Sequence, residues 1–483
     1  MKRSWISFIC ILLCVLLPFV MVASIIFGVS PQFGKTFLGE LSKKVERLYS
    51  IDEPKVIVIG GSSVPFGVDT KLLEEMLGMP CVNFGLYATL GTKMMIDLSR
   101  DAINEGDIII LAPETDAQTY SLYFNAESAW QACDSDMSLL FKIGNDNYGD
   151  MLGGAWRYAV QKMKYSLTDE ELSPEGVYNI DSFDEYGDII YPREYNIMPL
   201  GHDSSMTIDF AVHEIDHDFI DYVNDYVKFA EKKGAKVLFS FAPMNEDAIS
   251  EDVTIEDVKF FTNYIDYAID AELISNPNDY IYLSGYFYDS NFHLNDAGAM
   301  MHTANLAKDI AAALGKELIV DVEIPDVPEI PETDDGEDDL GYDENEVYFE
   351  FSEVVRSGEV IGYNIKGLSA LGKEQSVLTT PKAYNGKRIY AVDTGAFASA
   401  SAKDIYISAR ISTINDGAFS GASHLEKVHI MATDPNDTTV NNVSMGLCDG
   451  MAQGARFYVA SESYNDFISN YFWGSYADKI TAE

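Results

Sequence analysis

The sequence has little cysteine, little positive charge and no glycine-rich phosphate loop, and each absence excludes a class of protein. Five cysteines are present, and Cys81, Cys133 and Cys448 are far apart without zinc-like spacing, so neither a disulfide framework nor a cysteine-based metal site is predicted. The 33 basic and 77 acidic residues give a formal net charge of −44, which argues against nucleic-acid binding because neutralising phosphates needs Lys and Arg. Gly60-Gly61 lacks the further glycine and the lysine of dinucleotide and P-loop sites.

Charge is also absent from Ser4 to Gly34. The apolar part of this stretch exceeds the ~20 residues that span a bilayer as a helix, and it is longer than the roughly 7–15 apolar residues of a cleavable signal peptide. We therefore predict an uncleaved transmembrane signal anchor over residues 1–31 and a juxtamembrane segment over residues 32–54, with a short helix at Leu38–Leu48. The rest of the chain is expected outside the cytoplasm, as a single-pass protein of the cell membrane.

From residue 55 onward, short apolar runs alternate with amphipathic segments, which predicts a parallel sheet between layers of helices. The strand candidates are Val56–Ile59, Cys81–Phe84, Asp107–Leu111, Lys236–Phe241 and Tyr280–Leu283, and the helix candidates are Thr70–Leu77, Thr92–Ile103, Ile215–Lys232 and Ile255–Leu273. The predicted fold is α/β, a flavodoxin-like three-layer sandwich over residues 55–317.

This alternation fails at about residues 116–213, a segment rich in Tyr, Asp and Asn. A long interruption at the carboxyl edge of such a sheet predicts an insertion that forms a lid or a substrate-binding region. Its aromatic residues could stack on sugar rings, but most of them are expected to pack within the insertion; they include Trp130, Tyr148, Trp156 and Tyr158.

The composition changes after the α/β domain. Residues 318–346 are acidic and Pro-rich, which predicts an extended linker. Beyond it, Ile389-x-x-Val392-x-x-x-Ala396-Phe397 recurs as Ile411-x-x-Ile414-x-x-x-Ala418-Phe419, and Ile405-Tyr406-Ile407 is echoed by Val428-His429-Ile430. A period of about 20–29 residues with short apolar strands predicts a short leucine-rich repeat solenoid over residues 347–483. The pattern resembles the BspA-type leucine-rich repeat family of microbial surfaces, which implies either protein or polysaccharide binding or an architectural role.

Two distant segments, Val56–Ser63 and Tyr288–Asn295, hold the residue types of a serine-nucleophile site. An apolar strand that ends in glycines presents the Ser62 hydroxyl at the carboxyl edge of the sheet. Such a hydroxyl needs an imidazole to take its proton and a carboxylate to orient the imidazole, and His293 and Asp289 supply both. Ser63 is an alternative nucleophile. Each motif alone also fits a simpler role, a helix N-cap for the serine and a capping or packing role for the histidine.

The order of these motifs resembles the SGNH (GDSL-like) hydrolase family over Lys55 to Leu314. Gly60-Gly61-Ser62 stands where that family has Gly-Asp-Ser, and Asn83-Phe84-Gly85 is similar to its second block. The resemblance implies that Ser62 attacks an ester while the N–H groups of Ser62 and Gly85 stabilise the oxyanion. It implies an acyl esterase or O-acyltransferase that acts on cell-wall polysaccharide or acylated glycan without metal or cofactor. The sparse cysteines fit the envelope of a Gram-positive bacterium.

Two departures separate this sequence from the family pattern. Asp289 precedes His293 by one residue more than in Asp-x-x-His, so the carboxylate reaches the imidazole only through a bulge. Glu114 follows the third predicted strand, where active relatives carry an asparagine that donates to the oxyanion; losing one such donor lowers the rate by roughly 10²–10³. The alternative function is therefore a catalytically silent surface interaction protein that binds a protein partner through its repeats.

A third chemical motif is the formal match of His213-Glu214-Ile215-Asp216-His217 to His-Glu-x-x-His. Two imidazoles one helical turn apart bind zinc in metallopeptidases, with the glutamate as base. Asp216 places a charge inside the motif, where the buried helix of a metallopeptidase is normally uncharged. The expected apolar face of this helix also does not include the two histidines. A zinc metallopeptidase is therefore the less favoured alternative, and a solvated helix start is expected.

Overall fold

The computed structural model describes residues 16–168, 172–174, 176–198, 201–203, 206–250, 252–320, 322–329, 343–356, 359–435, 438–440, 446–448, 450–470, 473–477 and 479–483. Residues 1–15 of the predicted anchor and 330–342 of the predicted linker lie outside the described residues. The chain divides into two compact units, Met1–Ile330 and Pro331–Glu483. In the described part of the chain, no helix combines the length and the apolar character needed to cross a membrane.

The first unit is an α/β protein built on a five-stranded parallel sheet. Its strands are β1 (Val56–Gly60), β2 (Cys81–Gly85), β3 (Ile108–Ala112), β4 (Lys236–Phe239), β5 (Met244–Asn245), β6 (Glu272–Leu273), β7 (Ile281–Tyr282), β8 (Phe287–Ser290) and β9 (His293–Leu294). The sheet order is β2-β1-β3-β4-β6. The chain passes from β1 to β2 on one side and then crosses to β3 on the other side of β1, so the strand order reverses between β1 and β3. In open α/β sheets, ligands bind outside the carboxyl ends of the strands at such a switch point.

Helices cover both faces of this sheet. They are α1 (residues 16–28), α2 (Leu41–Ser50), α3 (Ser63–Gly67), α4 (Thr70–Leu77), α5 (Thr92–Ser99), α6 (Ala126–Ala132), α7 (Tyr148–Thr168), α8 (His217–Lys232), α9 (Ile255–Ala268) and α10 (Asp296–Ala313). Side chains alternate between the faces of a strand. Val56 and Val58 therefore pack with α4 and α10, whereas Ile57 and Ile59 pack with α2, α5, α8 and α9.

The fifth strand of the sheet is where the sequence prediction is wrong. The helix predicted to run from Ile255 to Leu273 ends at Ala268, and Glu272–Leu273 pairs with β4 as the edge strand β6. Only Ile281–Tyr282 of the predicted strand Tyr280–Leu283 is extended, and it pairs with β5 outside the main sheet. An edge strand of two residues is too short to produce a periodic pattern in the sequence.

Two predicted accessory segments belong to the core of this unit. The predicted juxtamembrane segment contains α2, whose Leu41 and Leu48 are fully buried in the core. Within the predicted insertion, the rings of Trp130 and Tyr158 stack with centroids 5.3 Å apart, as expected for internal packing. Trp156 does not pack in this way, because its side chain is exposed.

The second unit consists mainly of parallel strands in two sheets. Its strands are β10 (Phe349–Arg356), β11 (Glu359–Leu368), β12 (Val377–Thr379), β13 (Ala383–Tyr384), β14 (Lys387–Val392), β15 (Asp404–Ile407), β16 (Thr413–Ile414), β17 (Lys427–Ile430), β18 (Thr439–Val440), β19 (Arg456–Val459) and β20 (Ile480–Ala482), with helices α11 (Ala370–Lys373) and α12 (Tyr464–Ser469). The sheet orders are β10-β11-β14-β16-β18 and β12-β15-β17-β19-β20. The repeated motif is visible in the packing, since the rings of Phe397 and Phe419 stack with centroids 5.3 Å apart.

Candidate active site

Ser62 lies in the turn between β1 and α3, at the carboxyl edge of the sheet. It occupies the N-cap position of α3, yet its side chain makes no capping hydrogen bond. Its Oγ instead lies 2.7 Å from Nε2 of His293, a residue 231 positions later in the chain. The simpler interpretation of this serine as a side-chain N-cap is therefore wrong.

A bulge in the β8–β9 hairpin brings Asp289 to His293. Phe287 pairs with Leu294, and Ser290 pairs with His293. His293 and Leu294 are neighbours on β9, whereas two extra residues separate Phe287 from Ser290 on β8, and Asp289 is one of them. Bulges of this kind redirect side chains, and Oδ1 of Asp289 lies 2.7 Å from Nδ1 of His293. The extra residue in the Asp-His spacing is accommodated as the sequence required.

Two aromatic side chains hold the aspartate and the imidazole in place. The Tyr178 hydroxyl donates to Oδ2 of Asp289 at 2.7 Å. Burial and the Asp289 carboxylate raise the pKa of Tyr178 well above its ordinary value, so the hydroxyl stays a donor. The Phe66 ring stacks on the imidazole of His293, with centroids 4.0 Å apart and 7° between the planes.

Sequence reasoning missed both aromatic residues. Phe66 follows Ser62 by four positions, one helical turn, so the helix that the serine begins could have indicated that it lies near the site. Tyr178 belongs to the irregular insertion, where no periodic pattern or spacing rule singles it out.

Glu114, just beyond β3, contacts the same turn. Its Oε1 accepts the N–H of Ser63 at 2.8 Å and lies 3.2 Å from Oγ of Ser62. A Cβ on Gly61 would lie 2.6 Å from this oxygen, so glycine at position 61 leaves the space that Glu114 fills. The Ser62 hydroxyl has one proton and two neighbouring acceptor groups, the imidazole of His293 and the Glu114 carboxylate, and it donates to one at a time.

Gly85, the second predicted oxyanion donor, lies at the carboxyl end of β2. Its N–H donates a long hydrogen bond of 3.4 Å to Oδ1 of Asn83. A Cβ on Gly85 would lie 2.5 Å from both the Gly61 carbonyl oxygen and Cβ of Val64. Only glycine therefore allows β2 to approach the turn that carries Ser62.

A buried polar network supports Asn83 behind this edge. Its Oδ1 accepts from Nζ of Lys44 at 2.9 Å, and its Nδ2 donates to Oδ1 of Asp188 at 2.8 Å. Burial lowers the pKa of Lys44 and raises the pKa of Asp188 from their ordinary values. These contacts fix the end of β2 beside the serine turn.

The alternative nucleophile, Ser63, has a different environment. Its Oγ is buried and has no hydrogen-bond partner among the described residues, and its backbone N–H is already bonded to Glu114. The imidazole of His293 contacts Ser62, so the geometry favours Ser62 over Ser63 as the hydroxyl that is deprotonated.

Asp116 follows Glu114 in the loop after β3. Burial, and then the negative charge of Glu114, raise the pKa of Asp116 from 3.8 to about 7. The side chain accepts the N–H groups of Gln118 at 2.7 Å and Thr119 at 3.2 Å, which opposes this rise. Because the folded-state pKa exceeds the unfolded one, this contribution to stability is complete below the unfolded pKa and is lost as the pH rises towards 7.

We expect Asp116→Asn to keep both backbone contacts and to remove this pH dependence. The stability gain of the variant over the wild type should grow between about pH 4 and 7 and then level off at about 2–4 kcal/mol. Thermal unfolding across this range measures it, with Asp266→Asn on the exposed face of α9 as the matched control. A gain that is the same at every pH would contradict the raised pKa.

The His-Glu-x-x-His motif does not form the helix that zinc binding requires. His213 lies in a 3₁₀ turn, Val212–Glu214, whereas α8 begins at His217 after an extended Asp216. The two imidazoles therefore do not lie one α-helical turn apart. In the ranges that the structure describes, no group of three or more His, Cys, Asp or Glu side chains is placed to hold a metal ion.

The structure thus brings Ser62, His293 and Asp289 into one hydrogen-bonded row at the carboxyl edge of the parallel sheet. Glu114 and Gly85 border the same turn. No protein-family model matches the chain, and no curated protein matches it. The chemistry of the site therefore has to follow from its geometry.

Proposed function

We propose that the first unit is a serine acyl esterase or O-acyltransferase of the SGNH (GDSL-like) type. One observation carries the proposal: the imidazole of His293 lies 2.7 Å from the Ser62 hydroxyl through Nε2 and 2.7 Å from the Asp289 carboxylate through Nδ1. A nucleophile, a base and a group that orients the base are the parts that serine acyl transfer needs. The flavodoxin-like strand order supports the proposal, because Ser62 follows β1 at the switch point between β1 and β3, where open α/β sheets commonly bind ligands.

The proposed reaction has two steps. Oγ of Ser62 bonds to the ester carbonyl carbon while Nε2 of His293 takes the hydroxyl proton, and the leaving alcohol receives that proton as the C–O bond breaks. Asp289, held by Tyr178, stabilises the imidazolium formed in between. Water or a sugar hydroxyl then attacks the acyl carbon and gives its proton to Nε2 of His293. The bond between that carbon and Oγ of Ser62 breaks, and Oγ takes the proton back from the imidazole. The N–H groups of Ser62 and Gly85 are the proposed oxyanion donors.

The proposed substrate is an acylated polysaccharide or glycan of the cell envelope. The uncharged stretch from Ser4 to Gly34 supports an anchored, extracytoplasmic location. The second unit supports a short leucine-rich repeat solenoid, because β15 and β17 pair in parallel with their repeated residues aligned. An anchored surface protein with a repeat domain and an acyl-transfer site could bind and modify a polymer that lies close to its own membrane.

The test is acyl release from an O-acetylated polysaccharide by the full chain. Free acetate indicates hydrolysis, and acetyl groups that appear on an added acceptor oligosaccharide indicate transfer. Either product should require Ser62. Neither product, together with no reaction of Ser62 with any activated ester, would exclude the proposed chemistry.

The contact of Glu114 favours the second candidate, a catalytically silent unit in an interaction protein. The carboxylate already accepts the Ser63 N–H and lies within reach of Ser62 Oγ. An ionised carboxylate there opposes the negative charge that develops on the substrate oxygen. For the enzyme hypothesis, Glu114 must therefore move aside or carry a proton during the reaction.

We expect Glu114→Gln to separate the two functions. The amide keeps the size of the side chain, removes the charge and offers an N–H donor, so an active site should hydrolyse p-nitrophenyl acetate about 10-fold to 10²-fold faster. Glu246→Gln, at an exposed position, is the control and should not change the rate. A slower Glu114→Gln variant would show that the carboxylate takes part in the reaction. No activity in the wild type or in Glu114→Gln would favour the silent unit.

A further inference from the structure

Helix α7 exposes an apolar stripe on its outer face. Leu152, Trp156, Val160 and Leu167 are 76%, 52%, 51% and 76% exposed. They fall within an arc of about 80°, because successive helical residues are about 100° apart. Phe141, shortly before the helix, is 81% exposed. Exposed apolar side chains aligned in this way mark an interaction surface.

The same helix is basic in a strongly acidic chain. Residues 151–168 contain no Asp or Glu, although the whole chain has 77. Arg157 and Lys164 are exposed on one flank of the stripe, and the acidic residue of the helix, Asp150, lies in its first turn. Trp and Leu on one face with Lys and Arg beside them are typical of helices that lie in the interface of an anionic bilayer.

Helix α7 also packs against the end of the predicted anchor. Nζ of Lys162 donates to the carbonyl oxygen of Ile26 at 3.0 Å. The ring of Phe33 lies 5.9 Å from that of Tyr158 and 5.8 Å from that of Tyr165. A bilayer that holds the residues before Ile26 would therefore begin next to α7.

We infer that the outer face of α7 docks on the anionic headgroup layer of the membrane that holds the N-terminal segment. The apolar stripe enters the boundary between headgroups and acyl chains, and Arg157 and Lys164 bind lipid phosphates. Docking goes beyond the proposed acyl chemistry and uses none of its residues, but it rests on the proposed membrane anchoring. The α/β unit is thereby held on the bilayer surface rather than suspended above it.

The test uses Trp156 as a depth probe in the full chain. Trp5→Phe removes the tryptophan of the apolar segment, and Trp130 and Trp473 are buried, so the difference between Trp5→Phe and Trp5→Phe/Trp156→Phe isolates Trp156. Both proteins are placed in nanodiscs of phosphatidylglycerol and phosphatidylcholine with brominated acyl chains. We expect Trp156 emission to be quenched, more strongly by bromine at positions 6 and 7 of the acyl chain than at 11 and 12.

Three other results would overturn the inference. Trp156 quenched by aqueous iodide but not by bromolipid would face water, and Trp156 shielded from both quenchers would be covered by a protein or a second copy of the chain. A chain that fails to insert into nanodiscs would also overturn the inference. That failure would not bear on the proposed acyl chemistry, because the reaction of Ser62 can be measured independently in detergent.

The charge part of the inference has its own control. We expect Arg157→Glu/Lys164→Glu to lose most of the bromolipid quenching of Trp156, since each basic residue near an anionic surface contributes through its charge. Lys228→Glu/Lys259→Glu makes the same change of charge at exposed lysines on α8 and α9 and should leave the quenching unchanged. Equal losses in both double variants would mean that net charge, and not the α7 face, governs the contact.

Discussion

Ser62→Ala is expected to abolish labelling by a fluorophosphonate probe and to lower ester hydrolysis by at least roughly 10³-fold. The reason is geometric, because the Ser62 hydroxyl is the one that His293 contacts. The alanine also removes the Oγ contact with Glu114, yet it leaves the Ser63 N–H bond to that carboxylate in place. The fold should therefore survive, and circular dichroism of the variant checks this.

Ser63→Ala is the matched control for this experiment. Its Oγ has no hydrogen-bond partner among the described residues, so we expect labelling at close to the wild-type rate. Labelling that survives in Ser62→Ala and disappears in Ser63→Ala would move the nucleophile by one residue. It would also contradict the function assigned here to the contact between Ser62 and His293.

Asp289→Asn is expected to have the second large effect, a fall in the acylation rate of about 10⁴-fold. A carboxamide nearly preserves the shape of the side chain but can favour the tautomer of His293 that is protonated on Nε2, and this imidazole cannot accept the serine proton. The loss should appear in kcat rather than KM, since Asp289 is predicted to act on the imidazole and not on the substrate. Stopped-flow measurement of acylation by an activated ester separates the two parameters.

Tyr178→Phe is the graded comparison for the aspartate. It removes one hydrogen bond to Asp289 Oδ2 and keeps the ring, so we expect a decrease of about 10-fold, in keeping with the 0.5–1.5 kcal/mol of a typical hydrogen bond or somewhat more for a charged acceptor. If Asp289→Asn instead acylates as fast as the wild type, then Asp289 does not orient His293 for its reaction with Ser62, although the three side chains lie within hydrogen-bonding distance.

The sequence predicted the centre of the sheet better than its edge. β1, β2 and β3 are buried at every position, and a strand enclosed on both faces appears in the sequence as an uninterrupted apolar run. β6 pairs through two residues, with Glu272 exposed. Pairing at an edge depends on the neighbouring strand β4, and local sequence carries no signal for it.

For the site as well, the residues could be predicted from local sequence patterns, whereas the contacts between distant residues could not. Ser62, His293 and Asp289 could be proposed because each follows a strand or turn pattern and because their order resembles a known family. Their distances could not be derived. The sequence required a bulge between Asp289 and His293 but did not give its form in β8, and the contact of Ser62 with His293 joins residues 231 positions apart. Tyr178 reaches Asp289 across 111 positions of the chain, a contact that only folding produces.

The sequence predicted only part of the effect of Glu114 on the site. The sequence showed a carboxylate where a donor was expected, and the predicted effect was repulsion of the oxyanion. The structure adds that the carboxylate accepts the Ser63 N–H and lies 3.2 Å from Ser62 Oγ. The residue therefore competes for the hydroxyl proton as well as for the place of the substrate oxygen.

Locating the covalent adduct is the most direct test of the claim that Ser62 is a nucleophile activated by His293. After reaction of the full chain with a fluorophosphonate, trypsin should release the peptide of residues 56–71, which holds both Ser62 and Ser63. Fragmentation between the two serines by tandem mass spectrometry distinguishes them. We predict the adduct on Ser62 and its absence when His293 is replaced by Ala; an adduct on Ser63, or one on Ser62 that forms equally fast without the imidazole, would contradict the mechanism.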